Sequence, residues 1–416
     1  MLTAVFCRIF RIMLISYIVL PLIFILSLLL LMREGLLKGR AGAVFAVLLT
    51  AGALILRLYL FDFRSDDFTS FLAPWTEFFR ENGGFAALGI PVGNYNPPYL
   101  YFLALFSYFN VDELYLIKLL SVLFDVLLAW ACLKLASLFT GSKTKLSVCF
   151  FAVMYLPTAV INGAYWAQCD SIYVFFAVMS LYLGLSDRPV GAMLTLAASL
   201  AFKLQAVFIV PVFFILLITR RIKFRHLLIF PAAYVVYLLP AVIAGRPLWD
   251  TLTLYASQAG TVGDAMNYNA PSLTSLFSWN GDTVLWSKIL IIAAFFAVAV
   301  IFISAILRRD GLSDEAVFAY AVLLCLVIPY LLPHMHDRYF YASGMLLVVL
   351  AVCEPGYIAA TVFAELASLH CYYAYFARHY LVRPSAGGLL MLAAILLVLA
   401  CLLQIFKKGE KTEICP

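Results

Sequence analysis

Long apolar runs, broken at intervals by short charged or proline-rich stretches, recur along the chain from Ile12 to Phe406. Most runs have about 17–25 residues, the length an α-helix needs to cross a hydrocarbon core of roughly 30 Å. Inside lipid a backbone amide finds no partner outside its own segment, so these runs must be helical. The pattern predicts an all-α, polytopic transmembrane helical bundle of about thirteen helices. Its spans are placed near 12–32, 41–60, 115–139, 146–163, 169–185, 190–203, 205–219, 227–244, 285–307, 314–332, 338–352, 357–377 and 387–405. The segment PPYLYFLALFSYF at 97–109 is shorter and opens on Pro97-Pro98, which predicts an interfacial helix rather than a crossing.

Charge sets the sidedness. Basic residues gather at Arg33, Lys38 and Arg40, at Lys143 and Lys145, at Arg220, Arg221, Lys223 and Arg225, at Arg308 and Arg309, and at Lys407, Lys408 and Lys411. The positive-inside rule assigns these loops to the cytoplasm. For 33–40 and 141–145 to share a side, one of the three apolar segments between them must not cross, and 97–109 is the shortest. The loops 61–114 and 245–284 then face outward, as large extracytoplasmic loops of a single domain covering 1–416. Arg8 and Arg11 fall outside in this scheme and oppose it. They precede an apolar run as in a signal peptide, but LPLIFILSLLLLMREG is too long and lacks a small-x-small cleavage site, which predicts a retained first helix.

Composition fits this class: 65% of residues are hydrophobic, 16% aromatic and 12% charged. The net charge of +6 is spread over short loops without a basic stripe, so nucleic acid is not an expected partner. The nine cysteines, Cys7, Cys132, Cys149, Cys169, Cys325, Cys353, Cys371, Cys401 and Cys415, show no spacing of metal or redox type and read as small core residues.

In so apolar a chain, charges grouped at helix mouths are informative, because polar groups there are costly to desolvate. FDFRSDDFTSFLAPW at 61–75 places Asp62, Arg64, Asp66 and Asp67 close together. They are either the wet end of a helix or working carboxylates. Arg57, Trp75, Glu77 and the rigid turn NYNPPY, with Tyr95 and Asn96, favour the second reading. PHMHDRYF at 333–340 sets His334, His336, Asp337 and Arg338 at another mouth. Histidines spaced i, i+2 suit a metal only on an extended segment, and no third ligand accompanies them. A hydrogen-bonding, cationic clamp for an anion fits better, with helix capping as the alternative. Lys203 in LAFKLQAVFIVP either snorkels or joins Arg338 as a phosphate ligand, and Gln205 follows it. In YWAQCDSIY, Gln168 precedes Asp170, which caps its helix, orients Lys203 or binds a sugar hydroxyl. Asp125 lies inside its span, where pairing with Lys118 or Asn162 accounts for it.

In order and spacing these motifs resemble the GT-C superfamily of membrane glycosyltransferases: the acidic pair, the Tyr-x-Pro-Pro turn, the Gln-x-Asp, the Phe-Lys-x-Gln helix break and the late His-x-His-Asp-Arg. Within it the chain is most similar to bacterial relatives of the second mannosyltransferase of the GPI anchor. The resemblance covers roughly 41–345; the first helix and the C-terminal helices have no counterpart in it. It implies a bacterial inner-membrane enzyme that transfers a hexose, with inversion, from a polyprenyl-phosphate sugar. The acceptor is a hydroxyl of a lipid-linked or cell-surface glycan on the extracytoplasmic side. Mannose rests on the nearest relatives alone. Asp67 takes the place of the base, with Asp66 as its neighbour and substitute, while Arg338, His334, His336 and Lys203 stand where the leaving phosphate is held. Arg64, Tyr95, Asn96, Gln168, Asp170, Gln205 and Asp337 complete the expected substrate site. No divalent metal or other cofactor is expected. The rival readings are a transporter or flippase of polyprenyl-linked intermediates, in which the same charges line a path, and a surface-glycan polymerase or ligase.

Overall fold

A computed structural model describes residues 2–259, 263–279 and 281–414. Among the described residues six helices are long and apolar enough to cross a membrane: Arg40–Tyr59, Glu113–Ala136, Phe224–Ile243, Thr283–Leu307, Asp314–Leu331 and Pro384–Lys407. A seventh span is made if the bent pair Lys143–Tyr155 and Pro157–Tyr165, inclined by 47°, is taken together. The expected count of about thirteen is not reached by helices of spanning length. The segments expected to span at 169–185, 190–203 and 205–219 are the shorter helices Asp170–Leu185, Pro189–Phe202 and Leu204–Ile218. At 1.5 Å per residue the first of these is about 24 Å long. They are short because the chain breaks at polar residues and prolines, and those breaks carry the groups described below. The helix Pro97–Phe106 is also too short to span, at about 15 Å. Seven of its ten residues are buried against protein, so its surroundings are helices and loops rather than an open amphipathic face.

Burial sorts the long helices into two layers. Glu113–Ala136 and Asp314–Leu331 are 83% and 78% buried, whereas Phe224–Ile243 and Thr283–Leu307 are only 17% and 22% buried and turn apolar side chains outward. The protein is therefore a multi-pass, all-α membrane bundle with Glu113–Ala136 and Asp314–Leu331 largely enclosed and a lipid-facing rim. The cysteines follow the expected pattern where their side chains are described: Cys132, Cys149, Cys169, Cys325 and Cys371 are buried and unpaired, and Cys353 and Cys401 are unpaired and half-buried. Arg8, Arg11, Cys7 and Cys415 lie outside the residues whose side chains are described.

The bent span is held open by charges from other helices. Pro157 has no amide hydrogen, so the carbonyls before it lose their helical partners. Arg57 donates to the Met154 carbonyl at 2.8 Å. On the other side of the break, the Glu365 carboxylate accepts from the Thr158 amide and hydroxyl, both at 2.9 Å. Arg57 also pairs with Asp125 at 2.9 Å. The expected partners of Asp125 are thereby corrected: Lys118 instead donates to the carbonyls of Phe61 and Phe63, and Asn162 donates to Asp170. Arg57, with five donors and no freedom to lose its charge, is the better match for a carboxylate next to orphan carbonyls.

Candidate active site

Ser65 begins the site. Its hydroxyl accepts from the Phe68 amide at 3.2 Å, as an N-cap does, and donates to the Trp166 carbonyl at 2.7 Å. The helix that follows runs over 66–81 and contains a π turn at Phe68–Leu72. Asp66 and Asp67 are its first two residues, where the helix dipole favours anions. Their side chains diverge. Asp66 is 67% exposed and pairs with Arg378 at the surface. Asp67 turns inward and is 23% exposed.

Four side chains from distant parts of the sequence reach the Asp67 carboxylate. Oδ2 accepts from Gln168 Nε2 at 2.7 Å and Trp166 Nε1 at 3.1 Å, and Oδ1 accepts from the Tyr375 hydroxyl at 3.0 Å. Arg338 Nη2 stands 3.4 Å from Oδ2. A carboxylate has about four acceptor positions, so Oδ1 keeps one for a further donor. The stretch that brings Trp166 and Gln168 here follows a second π turn, Ile161–Tyr165, and Ala167 between them is left-handed at φ 66°. π turns and left-handed residues other than glycine are costly local choices that concentrate at functional sites.

Arg338 is the cation of the cluster. Its guanidinium lies 4.9 Å from the centre of the Trp166 ring and its Nε is 3.5 Å from Asp337. Nε and Nη1 are buried without a hydrogen-bond partner. Asp337 is held by Asn269 at 3.2 Å, and burial pushes its carboxyl up to about 7. Lys203, at the break between Pro189–Phe202 and the turn Leu204–Phe208, pairs with Asp170 and sits 5.7 Å from the centre of the Tyr95 ring. Asp170 also accepts from Asn162 at 2.7 Å. Burial raises the Tyr95 phenol.

Several expected members stand apart from Asp67. Arg64 pairs with Asp112, the N-cap of Glu113–Ala136, and Arg57 is taken by Asp125, so the cation beside Asp67 is Arg338 and not either of them. Asn96 turns toward Tyr234, donating at 2.8 Å, and its Oδ1 is buried and unpaired. Gln205 lies by Tyr339 with its Oε1 buried and unpaired. The histidines do not form a cationic clamp. His334 uses Nδ1 on the Ala265 carbonyl at 2.8 Å and Nε2 on Ser287 at 3.0 Å. His336 stacks on Tyr268 at 4.8 Å, and burial, aided by Arg338, lowers its pKa to about 4, so its ring is neutral near pH 7. Both fasten the 245–284 loop, whose strand Asn267–Tyr268 pairs in parallel with Met335–His336. Among the described residues no three His, Cys, Asp or Glu side chains gather as a metal site. A cavity of about 700 Å³ lies at the opposite ends of Asp314–Leu331 and Tyr341–Cys353, lined in part by Arg308, Glu315, Glu354 and Tyr357, and shares none of these groups.

Residues 94–333, more than half of the chain, match the family model of glycosyltransferase family 87. The chain belongs to glycosyltransferase family 87. No curated protein matches it. The match supports the membrane glycosyltransferase expected from the motifs and does not reach the narrower kinship with the GPI mannosyltransferase. In this family 87 protein the matched segment contains Tyr95, Gln168, Asp170, Lys203 and Asn269 and stops short of Arg338, while Asp67 precedes it. Trp166, Tyr375 and Asn269 were not among the expected site residues. Trp166 stood inside the quoted WAQCD, and NYNAP repeats the Asn-Tyr-Asn of NYNPPY, so two of the three carried a signal. Tyr375 lies among the aromatic residues of CYYAYFARHY, which read as span.

Proposed function

We propose that this family 87 protein is an inverting hexosyltransferase with a GT-C-like architecture, whose donor is a polyprenyl-phosphate sugar. The acceptor is a hydroxyl of a lipid-linked or cell-surface glycan, and the site faces the extracytoplasmic side of a bacterial cytoplasmic membrane. The supporting observation is the approach of Asp67 to Arg338 at 3.4 Å in a cluster that solvent still reaches, at 23% and 16% exposure. The acceptor hydroxyl gives its proton to Asp67 Oδ1 as its oxygen attacks the anomeric carbon. The bond from that carbon to the phosphate oxygen breaks, and its electron pair leaves with the lipid phosphate. Arg338, whose Nε and Nη1 make no hydrogen bond, stabilises that developing charge, and Lys203 adds to the local positive field. Asp337, Gln168 and Asp170 orient these groups. Mannose is the proposed sugar on the resemblance alone.

The test is product analysis after incubating purified protein and membrane extract with polyprenyl-phosphate mannose, polyprenyl-phosphate glucose and the matching nucleotide sugars. Transfer from a polyprenyl-phosphate hexose, with inverted configuration and none from nucleotide sugars, is expected. Transfer from a nucleotide sugar alone overturns the donor assignment.

A further inference from the structure

Arg246 carries a charge into a place that the fold leaves unexplained. The helix Phe224–Ile243 ends in a turn closed by two bonds at 3.0 Å, from the Arg246 amide to the Ala241 carbonyl and from the Gly245 amide to the Val242 carbonyl. Gly245 has φ 110°. This is the Schellman arrangement, whose last residue usually packs an apolar side chain back on the helix. Here that position holds an arginine that is 4% exposed. Its Nε and Nη1 are buried with no hydrogen-bond partner, so it does not cap the helix carbonyls through them. The ionisable groups near it are Tyr101 and Asp250. The Tyr101 hydroxyl is occupied by the Tyr237 carbonyl at 3.0 Å and the Ala241 amide at 3.4 Å, and Asp250 is exposed. A buried guanidinium whose nearby acid, Asp250, forms no salt bridge or hydrogen bond with it is unfavourable unless something supplies the missing acceptors.

The surroundings indicate the class of that partner. Ile243, three residues earlier, is 81% exposed, and Trp249, three residues later, is 73% exposed. Apolar surface ending at an indole is what a membrane protein presents at the level of lipid headgroups. A planar fork of donors at that depth matches phosphate oxygens. The geometry points to Arg246 as the docking point of a phosphate carried on a lipid. It is built from the end of Phe224–Ile243 and the helix Pro97–Phe106, and shares no residue with the Asp67 cluster. Taken with the proposed function, on which this clause rests, the lipid is a polyprenyl-phosphate carrier or acceptor. Bulk anionic phospholipid offers the same chemistry.

The test uses purified full-length protein in phosphate-free detergent, in an Arg338→Ala background that removes the other phosphate candidate. A short-chain polyprenyl phosphate, phosphatidylglycerol and diacylglycerol are titrated in turn. The readouts are the lipid-induced rise of the unfolding midpoint and the fluorescence change lost in Trp249→Phe. The phosphate-bearing lipids should stabilise the protein and diacylglycerol should not. Arg246→Leu should raise the lipid-free midpoint, because an unpaired charge is removed, yet weaken phosphate-lipid binding at least tenfold; Arg246→Lys should fall between. A tenfold preference for the polyprenyl phosphate assigns the carrier as source, and equal affinities assign bulk phospholipid. Unchanged affinity in Arg246→Leu, or in Arg246→Lys if the leucine variant does not fold, overturns the inference. So does an equal response to diacylglycerol. No sugar transfer is measured, so failure of the donor assignment leaves this result standing.

Discussion

Arg57 and Asp125 meet at 2.9 Å with 0% and 2% of their side chains exposed, whereas Arg338 and Asp67 stand at 3.4 Å with 16% and 23% exposed. The first pair is enclosed. Arg57 spends its donors on Asp125, on the Ala53 carbonyl of its own helix, and on the Met154 carbonyl, which the bent span would otherwise leave unmet. Arg57 Nη2 and Asp125 Oδ1 are left over, but both are sealed in. The second pair is assembled from distant stretches, sits beside two π turns and a left-handed Ala167, and keeps a spare acceptor position on Asp67, whose side chain solvent still reaches, next to Arg338 nitrogens that make no hydrogen bond. The difference separates a charge pair that repairs a helix break from one that has valences free for a substrate. It also bears on the transporter reading, since the deeper polar pair is closed and offers no path.

Removing the carboxylate's basicity should give the largest effect. Asp67→Asn keeps the shape and loses the proton acceptor, so turnover should fall by a factor on the order of 10²–10⁴ while donor binding survives. Asp66→Asn, whose partner is surface Arg378, should stay within a few-fold of wild type. Rates and donor affinities measured in parallel on folded protein decide it. A dead Asp66→Asn beside an active Asp67→Asn would reverse the assignment, and two active variants would leave the loop without a catalytic role.

Next come the two arginines, which should fail in different ways. Arg57→Met leaves Asp125 buried and alone, which should cost about 3–5 kcal/mol of stability, and pairing it with Asp125→Leu should recover most of that. Arg338→Ala should instead weaken donor binding by roughly 2–5 kcal/mol. Thermal unfolding and donor titration on both variants draw the contrast. If Arg338→Ala unfolds like Arg57→Met and binds donor normally once folded, the two clusters are of one kind.

The pattern of apolar runs made the fold class legible, because lipid permits only helices at that hydropathy. It placed about thirteen spans where six helices among the described residues have the length and apolarity to cross, since it registers apolar content but not the break at Lys203 that separates shorter helices. The motifs pointed to Asp67, Arg338, Gln168, Lys203 and Asp170, and the fold brings these into one neighbourhood. What the sequence could not give was pairing. Arg64 is as near to Asp67 in the chain as any cation, yet it goes to Asp112. Tyr375 is 308 positions away and donates to it. His334 and His336 look like a clamp in one dimension; in three they fasten a loop, because a left-handed turn at His334 and the strand after it aim the rings at Ser287 and Tyr268.

The smallest expected effect concerns that loop, and it is a cancellation. His336 has its pKa lowered from 6.5 to about 4, so between those values the unfolded chain binds a proton that the folded one does not. Stability from this residue therefore rises with pH across that window and is lost as pH falls through it. Asp337 beside it has its carboxyl raised from 3.8 to about 7, so the folded protein holds the extra proton there. Stability from that residue is present at low pH and is lost as pH rises toward 7. From about pH 4 to 6.5 the two terms have opposite sign and amount to one proton each, so wild type should show little slope from this pair. Asp337→Asn should uncover the histidine, with an unfolding midpoint that climbs with pH, and His336→Phe should uncover the aspartate, with a midpoint that declines. Scans of the midpoint in detergent from pH 4 to 7 on the three proteins measure both slopes. Parallel curves for wild type and both variants would mean that neither group changes its proton affinity on folding, and the burial of the Asn267–Tyr268 and Met335–His336 junction would lose its energetic meaning.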